Sequence, residues 1–236
     1  MTSRVLSAQA ARYWHGATAL VVAFGFFVQL GLVISGASVL TPDEPPNLAD
    51  RLVHFFAYFT IQSNILVCIG ALALVRRPNV DGPIGRVIRL DGILGITVPG
   101  VIHWFFLRPL LHLEGWSYAT DKILHVVVPL MAVIGWVAFG PRFRITARTI
   151  LAVTIWPIAY MIGVAVYGEI ANWYAYPFID VSKHGYPTVI LTGVVILAFL
   201  LALAGIAAFV DRLLPTGRFD ELSAAGTTRQ VSPAGG

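Results

Sequence analysis

The chain has 236 residues, of which 57% are hydrophobic and only 12% charged. A soluble domain carries ~25% charged residues, so this one has too little polar surface to face water on every side, and a water-soluble globular fold is excluded. The formal net charge of +4 does not point to nucleic acid, because the cations flank apolar stretches, where they meet anionic lipid and set membrane orientation.

A helix needs ~20 mostly apolar residues to cross a bilayer. Charge-free windows of about that length recur at Ala17–Thr41, Leu52–Val75, Gly92–Leu107, Ile123–Pro141, Thr149–Gly168 and Gly185–Val210. The expected fold is all-α: a polytopic membrane protein with six transmembrane helices in one bundle. Its domain spans residues 1–215, followed by a small, polar tail over 216–236 that is expected to be disordered.

The first window has no cleavage motif behind it and reads as a permanent helix. The loop after it, Thr41–Arg51, is acidic and Pro-rich. In the second window, successive residues turn by 100°, so Thr60, Ser63, Asn64 and Cys68 share one face, with Tyr58 and Gln62 opposite. Small polar residues in lipid either pack helices together or mark a site. The third window carries Pro99, His103 and Trp104, with Asp91 just before it; His103 beside Trp104 suits an interfacial histidine. In the fourth, Asp121 and His125 stand at i and i+4, one turn apart on one face, with Pro129 following. A carboxylate so placed fixes the tautomer of the imidazole and stabilises its protonated form. The segment Glu169–Lys183 is dense in Trp and Tyr and is expected to lie at the bilayer interface. His15, His54, His112 and His184 fall at or beyond the window ends and read as solvated.

The connecting segments alternate in charge. Arg4, Arg12, Arg76, Arg77, Arg86, Arg89, Arg142, Arg144, Arg148, Arg212, Arg218 and Arg229 fall on one side; Arg51, Arg108, Lys122 and Lys183 fall on the other. The Lys/Arg excess marks the cytoplasmic side, so both termini are expected there, in a cell membrane. Windows two and four then run in the same direction. Thr60 comes ~8 Å below Phe55 and His125 ~5 Å below Lys122 at 1.5 Å per residue, which places both in the outer half of the bundle.

Tyr58-x-Thr60 in the second helix, His125 followed by Pro129 in the fourth, and the aromatic run Trp173–Phe178 resemble the androgen-induced-gene family, in its bacterial six-helix branch. The likeness extends from Tyr13 to about Val210, mostly through hydrophobic layout. It implies intramembrane hydrolysis of lipid esters such as fatty-acid esters of hydroxy fatty acids, with the family's threonine nucleophile at Thr60 and its histidine at His125. A threonine hydroxyl needs a base to take its proton. His125 would do this and then protonate the leaving alkoxide. Asp121 would orient His125, and Asn64 would donate to the developing oxyanion. This chemistry calls for no metal and no cofactor. The expected partners are membrane lipids and a lipophilic ester.

Two other readings stand beside it. His103 and His125 share a depth band, as an axial pair for haem would. A polar core also serves a non-catalytic lipid-binding, transport or scaffolding bundle, although the Gly/Pro-broken helix pairs of inverted-repeat transporters are not evident.

Overall fold

The computed structural model describes residues 8–36, 47–78, 82–141 and 145–214. The tail over 216–236 lies outside them, as do Arg4, Arg142, Arg144, Arg218 and Arg229. Among the described residues there is no strand, and six helical stretches are long and apolar enough to cross a membrane. The elements are α1 (Ala8–Ile34), α2 (Leu48–Ala57), α3 (Phe59–Arg76), α4 (Pro83–Ile102), α5 (Gly115–Lys122), α6 (Val128–Phe139), α7 (Ala147–Ala171) and α8 (Val181–Leu213). A π turn over His103–Leu107 prolongs α4, and another over Ile123–Val127 joins α5 to α6 into one span.

Spans that follow one another in the chain run antiparallel. Gly16 at the start of α1 faces Val75 at the end of α3, Gly25 faces Ile123, and the Ile145 N–H donates to Asp211 Oδ2 over 3.0 Å where α7 begins and α8 ends. The helix α4 is central, touching α3, α6, α7 and α8. In its apolar stretch 56% of residues are buried, against 11% in α7 and 17% in α8. Leu20, Ile155, Ile190 and Phe209 are among many large apolar side chains left exposed. In a bundle whose backbone groups are satisfied within helices, these side chains face lipid. Glycines allow the closest approaches: a Cβ at Gly92 would sit 3.2 Å from the Val67 nitrogen.

Three expectations change. The window Leu52–Val75 is two helices, because Tyr58 is extended (φ −70°, ψ 126°) and ends α2 before α3 starts. A break leaves the last carbonyls of α2 without helical donors. Gln62 Nε2 takes that of Phe56 over 3.0 Å and the Tyr160 hydroxyl takes that of Ala57 over 2.9 Å. With no Pro or Gly at the break, only these tertiary donors betray it. The third window extends to Pro83–Leu110, because Arg86, Arg89, Asp91 and Arg108 lie within its helical length rather than outside it. The helix α1 begins at Ala8, so His15 lies two turns inside it and is buried against Gly135 and Phe139 rather than solvated.

Candidate functional site

Two prolines shape the polar centre. Pro99 has no N–H for the carbonyl of Gly95. The Ser63 hydroxyl lies 2.7 Å from that carbonyl and 2.8 Å from the Phe59 carbonyl. Ser63 thus bridges α3 to the flaw in α4, a structural task. Pro129 likewise frees the carbonyl of His125, four residues back. Gly100 of α4 packs on this oxygen so closely that a Cβ would stand 3.0 Å from it. His103 and His125 each fall in a π turn, a local widening that recurs at functional sites.

These turns bring three sequence-predicted residues together. His103 Nε2 stands 2.9 Å from Asp121 Oδ1, and His125 Nδ1 stands 3.2 Å from the same oxygen. The two imidazoles stack, with centroids 3.9 Å apart and planes 17° from parallel. Lys122 Nζ holds the other carboxylate oxygen, Oδ2, at 2.7 Å. The side chains of His103 and Asp121 are 2% and 6% exposed, whereas His125 keeps 19%. His103 is therefore enclosed with a carboxylate partner, not interfacial beside Trp104. His125 Nδ1 also lies 3.1 Å from the Asp121 carbonyl. With two acceptors at Nδ1, that nitrogen carries the proton and Nε2 is left with a lone pair.

Thr60 and Asn64 belong to a different environment. Both are buried, but among the described residues no hydrogen bond joins either to His125. Asn64 Nδ2 donates to the Thr60 carbonyl over 2.8 Å, and its Oδ1 is buried without a partner. The amide keeps a second N–H on Nδ2 besides the one given to Thr60. Thr60 is the second residue of α3, where backbone N–H groups lack helical acceptors. Facing the N–H groups of Phe59 and Thr60, and the Thr60 hydroxyl, is the phenol of Tyr176. Burial pushes its pKa up, and those donors pull it part of the way back. Its oxygen is enclosed without a full hydrogen bond.

Tyr176 comes from the aromatic segment before α8, which folds into the bundle end. Ala175, Tyr176 and Ile179 are buried; the Trp173 ring stacks on His54 at 3.7 Å, and Tyr58 meets both Trp173 and Tyr176. His54 is thus packed rather than solvated, whereas His112 and His184 are exposed. Tyr176 and Lys122 are the neighbours of the site that sequence reasoning left without a role. The aromatic density of the segment was the available signal for Tyr176; adjacency to Asp121 was the signal for Lys122.

Six apolar spans around a buried His–Asp–His cluster define a multi-pass membrane protein with a polar centre at one end of its bundle. Comparison with family models, with characterised proteins and with solved structures finds no match for the chain.

Proposed function

We propose that the chain is an intramembrane hydrolase of lipid esters, with His125 as its acid–base group and Thr60 as its nucleophile. The observation that carries this reading is the pair of Asp121 oxygens around His125 Nδ1, at 3.1 and 3.2 Å. The Asp121 carboxylate and carbonyl hold Nδ1, which leaves the lone pair on Nε2 of a side chain that keeps 19% exposure. A neutral imidazole so oriented is suited to proton abstraction in an apolar bundle. Thr60 lies at the head of α3, where the N–H groups of Phe59 and Thr60 would serve a developing oxyanion once the Tyr176 phenol moves aside. Catalytic hydrogen bonds often close only with substrate bound, and this reading requires Thr60 and His125 to meet in that state.

The cation asymmetry orients the protein in the cell membrane with both termini cytoplasmic and the His125 end outward. The resemblance to the androgen-induced-gene family supports the same assignment. Face-to-face imidazoles sharing one carboxylate do not match the opposed axial ligands of a haem, so the electron-carrier reading has little geometric support.

The test is turnover of a p-nitrophenyl acyl ester or a branched fatty-acid ester by protein in detergent or lipid, with fluorophosphonate labelling mapped to its residue. The expected result is turnover lost in Thr60→Ala and in His125→Ala, with the label on Thr60. Turnover that survives both substitutions would refute the mechanism and favour a non-catalytic bundle.

A further inference from the structure

We propose that His103, Asp121 and His125 form a binding site for one divalent transition-metal ion of the zinc type. The ligand atoms would be His103 Nε2, Asp121 Oδ1 and His125 Nδ1. These three residues offer ligand atoms that all lie within 4.8 Å of one another. Tetrahedral ligands ~2.0–2.1 Å from zinc stand ~3.3 Å apart. The nitrogen-to-oxygen separations of 2.9 and 3.2 Å fall just short of that spacing, so the three groups would open slightly around an ion.

The donor chemistry narrows the ion. Two imidazoles and one carboxylate suit zinc and its neighbours, whereas magnesium and calcium prefer all-oxygen shells. Lys122 Nζ lies 2.7 Å from Oδ2, which His103 Nε2 also approaches at 3.2 Å, while Oδ1 lies within 3.2 Å of both rings; the ammonium is the outer support that orients a metal-binding carboxylate. Three protein ligands leave a fourth position open, and His125 is the most exposed of the three, at 19%. The chain order also fits. His103 arrives from α4, and Asp121 and His125 come from one turn of the α5–α6 span, so a metal would clamp two spans at their π turns.

Binding requires a local rearrangement. The Nδ1 proton of His125 moves to its Nε2, the Nε2 proton of His103 moves to its Nδ1, and the rings tilt from their stack so that the freed lone pairs converge. Metal loading then removes the lone pair that the hydrolase reading uses. The inference stands independently of that reading: ester turnover is measured on the metal-stripped chain, and metal binding on the same preparation without substrate.

The experiment uses full-length protein without a polyhistidine tag, purified in detergent, stripped with chelator and titrated with Co2+ and then Zn2+. The expected result is about one ion per chain, visible absorption of tetrahedral Co2+, and its displacement by Zn2+ but not by Mg2+. His103→Gln and His125→Gln should each weaken binding at least ~10-fold, while His184→Gln, at an exposed position, leaves it unchanged. Absence of tetrahedral Co2+ absorption in the wild-type chain would overturn the proposal, whether or not the variants fold. Equal absorption in wild type and both glutamine variants would also overturn it.

Discussion

The two polar centres at the His125 end of the bundle are built on opposite principles. Around Asp121, every charged or ring group has a close partner: two imidazoles and an ammonium share the two carboxylate oxygens. Around Thr60, groups are buried yet left short of partners: Asn64 Oδ1 and the Tyr176 hydroxyl make no hydrogen bond. A satisfied network rigidifies its surroundings, whereas an unsatisfied buried polar atom costs stability. The comparison teaches that proximity on a helical wheel does not make one site. Asp121 and His125 lie in the same turn of the same span, whereas Thr60 sits across a helix boundary under a separate aromatic cap.

The largest effect should fall on activity. If the two centres meet in the reacting state, His125→Ala and Thr60→Ala should each lower ester turnover by at least ~10^2-fold, with no further loss in the double variant, because residues acting as a unit are not additive. Thr60→Ser should retain measurable turnover. Losses that multiply in the double variant would show two independent centres.

The next effect is on stability. Asp121→Ala should destabilise the protein by ~3–5 kcal/mol, since it strands buried groups that share one carboxylate. Asp121→Asn should cost less, since it keeps an acceptor for the rings. Thermal unfolding in detergent measures both, and equal melting temperatures for wild type and Asp121→Ala would contradict the description of a satisfied network.

Smaller again, Ser63→Ala should cost ~1–3 kcal/mol, because the carbonyl that Pro99 leaves open loses its donor. Tyr176→Phe should change stability by less than ~1 kcal/mol, since the hydroxyl it removes has no full hydrogen bond to lose. A loss above that in Tyr176→Phe would show that the Thr60 centre is as well satisfied as the other.

The smallest effect concerns the cap. Burial lowers the pKa of His54 from its ordinary value, with Asp50 acting in the opposite sense. The unpacked segment therefore takes up a proton more readily than the packed one. The His54–Trp173 stack contributes most above about pH 6.5 and less as the pH falls toward the lowered native value. Hydrogen exchange over residues 172–180 should accelerate slightly on acidification, and His54→Phe should remove the pH dependence.

Much of this was legible without coordinates, for a physical reason. Lipid demands long apolar runs and internally satisfied backbone, so six windows and an all-helical fold follow from composition alone. The i, i+4 pairing of Asp121 and His125 is fixed within a single stretch of helix, and it survives the π turn over Ile123–Val127. The break at Tyr58 was not legible, because its stabilising donors, Gln62 and Tyr160, stand on other elements. The capture of His103 by Asp121 and the covering of Thr60 by Tyr176 were hidden for the same reason: each joins residues far apart in sequence. Sequence determined which groups are polar, how deep they sit and which share a turn. Which of them meet was decided by helix packing, through Gly92 and Gly100 at the close approaches, and through the π turns that place both histidines on one carboxylate.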